Sequence, residues 1–190
     1  MAAGRKARDV DLLDALDALD PAPFDGEVWR VVREGRDPLQ GYPAGARWDP
    51  PDGFDVLYTT LDPDGARAEI FFHLMRAPVF PSRTVYLSHT IRVQTRKTLR
   101  LADMNALAAL KVDTARYSEL DYTRTQAISD AARFLGFDGL LVPSARWECR
   151  NLIIFMDRID PNDDLAVGAS EPVDWKAWRT RQSARGDPER

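Results

Sequence analysis

The chain has one cysteine, Cys149, and two histidines, His73 and His89. A lone cysteine excludes an internal disulfide framework, and no spacing of these three residues assembles a zinc site. Long apolar runs are missing as well. No window approaches the roughly 18 consecutive apolar residues of a membrane-spanning helix. The opening Met1-Ala2-Ala3-Gly4-Arg5-Lys6 leads into the acidic stretch Asp9 to Asp20 with no signal-peptide core, so a cytoplasmic protein that does not engage a membrane is expected. There is no basic excess either, since 26 Lys and Arg stand against 30 Asp and Glu for a formal net charge of -4. That balance argues against direct nucleic-acid binding, and any bound polyanion is expected to be small. What remains is 190 residues with 44% hydrophobic content and no internal repeat, enough for one globular domain with a real core.

Leu12, Leu13, Leu16 and Leu19 recur at helical spacing with aspartates between them, and Pro21 and Pro23 end the run. Residues 1–22 therefore read as an N-terminal helical extension. Val28-Trp29-Arg30-Val31-Val32 reads as a first strand. From Arg33 to Asp55 the chain is rich in Gly, Pro and Asp without a period, which predicts a long surface loop of the kind that often carries function. Val56 to Thr60 reads as a strand, Leu61 to Gly65 as a turn, and Ala66 to Arg76 as a helix. That helix turns Ala66, Ile70, Phe71 and Leu74 inward, and Glu69 borders the same face.

Alternation from Thr84 to Thr95 predicts the longest strand. Two helices follow, over Asp103 to Val112 and Asp121 to Leu135, the second capped by Asp121 or Thr123 and stopped by Gly136. Gly139 to Val142 and Asn151 to Phe155 read as neighbouring strands. The segment 161–190 is polar, with a short helix over Asp174 to Arg181 anchored by Trp175 and Trp178, and Gln182 to Arg190 read as a disordered tail. The sum is an α+β fold, a mixed β-sheet core with flanking helices, whose main domain covers 23–160.

Several polar residues stand among aromatics, where burial is costly unless they are partnered. Arg30 follows Trp29, Arg47 precedes Trp48, Tyr58 lies in an apolar run, and Glu69 interrupts a helix face. Each has a bland reading: a strand-end arginine, a loop arginine stacked on its neighbour, a core tyrosine, a solvated glutamate paired with His73 or Arg76. Cys149, His73 and His89 read as structural.

In order and spacing, Val28-Trp29-Arg30, Gly45-Ala46-Arg47-Trp48-Asp49, Val56-Leu57-Tyr58, Ala68-Glu69, Asp138 to Ala145 and Asn151 to Phe155 resemble the RES family. The family comprises the toxins of Xre-RES type II toxin–antitoxin pairs. The resemblance covers about Phe24 to Asp160. It departs at Ala46, where the family usually has glycine, and at Asp49, where it usually has asparagine and where an added charge would weaken a nearby phosphate contact.

This resemblance implies an ADP-ribosyltransferase-like fold and an enzyme that destroys NAD by cutting its nicotinamide–ribose bond. Phosphate or water is the implied acceptor, so NAD is a substrate, phosphate a possible co-substrate, and no prosthetic group or metal is implied. Glu69, Arg30 and Ser144 become the catalytic candidates. Arg30, Arg47, Tyr58, Ser144 and Asn151 become the NAD-binding ones. The chemistry suits them. Guanidinium groups offer paired donors to phosphates, and a carboxylate aimed at the ribose stabilises the positive charge that develops as nicotinamide departs. Tyr58 is suited to stack on nicotinamide or bond the ribose, and Ser144 to hold a ribose or phosphate oxygen. An Xre-type antitoxin partner is implied, with room for a homo-oligomer within that complex. Two alternatives stay open: mono-ADP-ribosyl transfer to a protein target, and a degenerate module that acts only through its partner.

Overall fold

The computed structural model describes residues 8–51 and 53–185. Six strands carry the fold: β1 (Ala22–Arg33), β2 (Val56–Thr60), β3 (Tyr86–Arg100), β4 (Gly139–Pro143), β5 (Arg150–Phe155) and β6 (Leu165–Pro172). They pair in the order β1-β2-β5-β4-β3-β6, and β1 also pairs with β3, so the first five close a cycle with β6 outside on β3. Every pairing is antiparallel except that of β3 with β4. Alternation turns every second side chain of the five cycle strands to a common face. Val28, Leu57, Ile91, Val93, Leu141, Leu152 and Ile154, from all five strands of the cycle, form one buried cluster with Leu165.

The opposite faces are covered by helices. Val56, Leu140, Val142, Ile153 and Phe155 pack with residues of α1 (Val10–Asp17), α3 (Met104–Ala109) and α4 (Thr123–Phe134). Ion pairs Arg8–Asp130 and Arg124–Asp9 tie the start of the chain to α4. On the other side, Trp29 and Val31 meet Ala66, Ala68, Ile70 and Phe71 of α2 (Pro63–Met75) and Trp175 and Trp178 of α6 (Trp175–Arg185). The tryptophan pair is the packing anchor its spacing suggests. The short α5 (Pro161–Asp164) leads into β6.

β1 and β3 run longer than read, from Ala22 and to Arg100, and three further stretches differ in kind from their sequence reading. The turn assigned to 61–65 is the first turn of α2: Asp62 Oδ1 accepts from the backbone N–H of Asp64 (2.8 Å) and Gly65 (3.0 Å), and Pro63 sits where its missing N–H costs nothing. β6 was hidden because its residues from Ala166 to Pro172 are exposed on both faces, so no alternation marks them, and only backbone pairing with β3 makes them a strand. Gln182–Arg185, read as a disordered tail, continue α6, and residues 186–190 lie outside the described ones.

Gly65 sets how closely α2 approaches the loop after β4. A Cβ there would lie 2.5 Å from Cys149 Sγ and 3.5 Å from Trp147 Cδ1. Gly65→Ala is expected to lower stability by about 1–3 kcal/mol through overpacking. Cys149→Ala in the same background is expected to restore most of it, as thermal melts of the single and double variants will show.

Candidate active site

The approach of α2 brings Glu69 onto the ends of two strands. Ser144 Oγ donates to Glu69 Oε1 at 2.8 Å, and Asn151 Nδ2 donates to the same oxygen at 3.0 Å. Ser144 follows β4, where the chain turns sharply: its hydroxyl accepts from the N–H of Arg146 (3.1 Å) and Trp147 (3.2 Å), and its own N–H reaches Cys149 O (2.9 Å). Those contacts fix the hydroxyl, leaving its proton for the carboxylate. Asn151 stands opposite Val142 in β4 and Thr60 in β2. Glu69 Oε2 takes no hydrogen bond from the described residues. The carboxylate is thus oriented by two neutral donors, with one oxygen left to act on another molecule.

Its charge is felt nearby. Burial, then Asp62 and Glu69, push the Cys149 thiol up to about 12, leaving it inert. Burial also raises the Tyr117 phenol, with the Arg47 charge opposing and the Glu69 charge adding. Tyr117 therefore stands between an anion and a cation, and its hydroxyl donates to Pro143 O (2.9 Å), next to Ser144.

Arg47 lies on a loop stapled to α4. Gln126 Nε2 donates to the carbonyls of Ala46 (2.8 Å), Gly45 and Asp49 (both 3.3 Å), Ser129 Oγ donates to Trp48 O, and the Trp48 ring is buried. The guanidinium is held between the rings of Tyr117 and Tyr122, 4.5 and 4.8 Å from their centroids, and donates to Glu119 O at 3.0 Å. It borders a cavity of about 940 Å³ beside the loop and α4, which none of Glu69, Ser144 or Asn151 lines. Tyr58, opposite Ile153, shares a sheet face with Asn151 and donates its hydroxyl proton to Asp49 Oδ1.

No contact among the described residues brings Arg30 to this cluster. It alternates with Trp29 and Val31, which face α2, and its Nη1 donates to Pro38 O (2.9 Å) and Gln40 O (3.0 Å). Burial lowers the guanidinium to about 10, with Tyr42 and Asp37 opposing, so it remains charged and clamps the loop after β1. The Asp49 carboxylate turns inward, accepting from Tyr58 Oη and from the Ala46 N–H (3.2 Å). Sequence reasoning missed Tyr117 and Tyr122, which lie in an aperiodic connection. It also missed Arg146, whose guanidinium sits 3.4 Å from the centroid of Phe72 and whose charge, with that of Glu69, acts on His73. Among the described residues, no group of three or more His, Cys, Asp or Glu is placed to hold a metal ion.

The RES domain model matches residues 27–176, most of the sheet and all of this cluster. The chain belongs to the RES domain family. Among RES relatives it is 28% identical over 145 residues, 73% of this chain and 78% of the relative, to the NAD(+) phosphorylase MbcT of Mycobacterium tuberculosis. It is 35% identical over 108 residues, 56% of this chain and 51% of the relative, to a probable NAD(+) phosphorylase of the same organism. A chain in the crystal structure of the M. tuberculosis MbcT-MbcA toxin-antitoxin complex superposes with a TM-score of 0.80 at 24% identity, covering 93% of this chain and 100% of that one. That likeness shows that the RES fold is shared.

The Glu69–Asn151 contact supplies a test that needs no substrate. Asn151→Asp puts a second carboxylate against Glu69, which raises the proton affinity of the pair. With the folded-state affinity raised, the variant is expected to lose about 2 kcal/mol at neutral pH and to regain it as pH falls. Melting curves of both proteins across that range will show the gap closing on acidification.

Proposed function

We propose that this RES protein is the toxin of a type II toxin–antitoxin pair and that it degrades NAD by phosphorolysis. The observation that carries the reading is the Glu69 carboxylate, fixed by Ser144 and Asn151 with Oε2 unbonded, on a chain whose curated relatives bear the name NAD(+) phosphorylase. In this reaction the bond between the ribose anomeric carbon and nicotinamide breaks, and its electron pair leaves with nicotinamide. A phosphate oxygen then bonds the same carbon, giving ADP-ribose 1-phosphate. Positive charge on the ribose peaks between those events. An oriented carboxylate stabilises it more in the transition state than in the bound substrate, because the charge is more localised on the sugar there.

Arg47 is assigned to phosphate. Among the described residues only one hydrogen bond, to Glu119 O, occupies its guanidinium, and two tyrosine rings restrict its motion, so the remaining donors are pre-organised. Tyr58 contacts the nicotinamide riboside half beside Asn151. Ser144 and Asn151 act through Glu69, and Arg30 acts through the loop it clamps. The partner is an antitoxin that covers the cleft, in keeping with the complex in which the structural neighbour was solved. Leaving DNA contact to an Xre-type partner suits a chain of net charge -4. The site of action is the cytoplasm, and no described helix is long and apolar enough to cross a membrane.

Purified, antitoxin-free protein is expected to release nicotinamide from NAD, to do so faster with phosphate, and to yield ADP-ribose 1-phosphate by mass spectrometry. Free ADP-ribose at an undiminished rate without phosphate would favour hydrolysis, and an ADP-ribosylated protein would favour the transferase alternative. Arg47→Ala is expected to raise KM for NAD by roughly 10-fold or more, the scale of a charge-assisted hydrogen bond.

A further inference from the structure

Asp49 has no part in the reaction as written, yet it is fully buried, at 0% exposure, against the tyrosine assigned to the substrate. Its Oδ1 accepts from Tyr58 Oη and from the Ala46 N–H at 3.2 Å, while Oδ2 is buried with no hydrogen-bond partner among the described residues. The groups around it are few. Arg47, next but one in the chain, is committed to Tyr117, Tyr122 and Glu119 O. β2 contributes Tyr58, and α4 contributes the neutral Gln126 and Ser129, both spent on loop carbonyls. No cation is hydrogen-bonded to this carboxylate among the described residues.

A phenol has one proton and lone-pair room for two donors. Tyr58 gives its proton to Asp49 and accepts from the Trp48 N–H at 2.8 Å, so one lone pair is left unused by the described residues. We propose that Asp49 is a positioning residue that switches the hydrogen-bonding sense of Tyr58. With Asp49 ionised, Tyr58 meets the substrate only as an acceptor. That form suits the carboxamide N–H donors of a nicotinamide riboside, which, unlike its hydroxyls, cannot turn to accept. With Asp49 protonated on Oδ1, the carboxylic acid donates to Tyr58 Oη. The phenol then accepts two hydrogen bonds from protein, and its own proton must turn to the cleft, where it faces those donors and repels them.

Burial raises the Asp49 carboxyl above its ordinary value, with the Tyr58 and backbone hydrogen bonds opposing, so the switch operates closer to neutral pH than an exposed aspartate would. Burial, with Asp49 adding, raises the Tyr58 phenol well above its usual value, so Tyr58 keeps its proton throughout. The proposal rests on the NAD reading for its substrate and on this structure for its switch.

The test compares kcat for nicotinamide release against pH, between about pH 5 and 8, for wild type, Asp49→Asn and Tyr58→Phe. The amide of Asp49→Asn keeps an acceptor oxygen toward Tyr58 and does not titrate. Wild type is expected to lose roughly threefold or more as pH falls through the Asp49 titration, the scale of one hydrogen bond. Both variants are expected to lack that step, whatever their absolute rates. An acid limb in Asp49→Asn that matches wild type overturns the proposal.

Two readouts need no turnover. Because the folded-state proton affinity of Asp49 is raised, wild type loses stability relative to Asp49→Asn as pH rises toward the folded-state value. The difference in melting temperature should therefore grow with pH and then level off, and a constant difference overturns the buried titration. The ultraviolet difference spectrum of wild type on acidification should contain a tyrosine change that both variants lack, and its presence in Asp49→Asn also overturns the switch. Absence of nicotinamide release by wild type at every pH would sink the NAD reading, with the melting and spectral data still deciding the switch.

Discussion

One oxygen, Oε1 of Glu69, takes hydrogen bonds from the hydroxyl of Ser144 just after β4 and from the amide of Asn151 near the start of β5, and this shared acceptor turns the packing of α2 into a site. Hydrogen bonds to a charged group contribute about 1.5–3 kcal/mol each, enough to hold a rotamer against its entropy. Everything that brings the three side chains together is backbone and packing. The β4–β5 ladder sets Val142 opposite Asn151, the turn after Pro143 fixes Ser144, and Gly65 lets α2 come close. The apolar layer of Trp29, Val31, Trp175 and Trp178 holds the far face of the same helix.

The second half of the site is built by a different device. Arg47 is positioned by stacking, and no ion pair among the described residues neutralises its charge. Its loop is held through backbone carbonyls by Gln126 and Ser129 of α4. Tyr117 joins the two halves, with a hydroxyl on Pro143 O and a ring under Arg47. An anion at one end and, at the other, a cation with no ion pair among the described residues match a substrate whose cleaved bond is cationic and whose remote part is anionic.

Much of this was legible in the sequence, for physical reasons that can be named. Strong alternation located β3 and clustered apolar residues located β4 and β5, whereas the Asp62-Pro63 pair that starts α2 read as part of a turn. β6 was not legible, because a strand exposed on both faces has no period and is specified by its partner's backbone. Motif spacing pointed to Glu69, Ser144, Asn151, Arg47 and Tyr58, but carried no information on which way a side chain turns. Arg30 and Asp49 show the limit. Both are motif residues, and both spend their hydrogen bonds on protein, Arg30 on Pro38 and Gln40, Asp49 on Tyr58 and Ala46. Tyr117 and Tyr122 were invisible because their role depends on contact with Arg47 across more than 60 residues of chain.

The central claim is that the Glu69 carboxylate supplies the charge that drives cleavage while the rest of the site supplies binding. Glu69→Gln keeps an acceptor oxygen for Ser144 and Asn151 and removes only the charge. Isothermal titration with NAD and a turnover assay on the same preparation separate the two contributions. The account predicts a folded variant that binds NAD with little change and turns it over at least about 100-fold more slowly. Full turnover by that variant would contradict it.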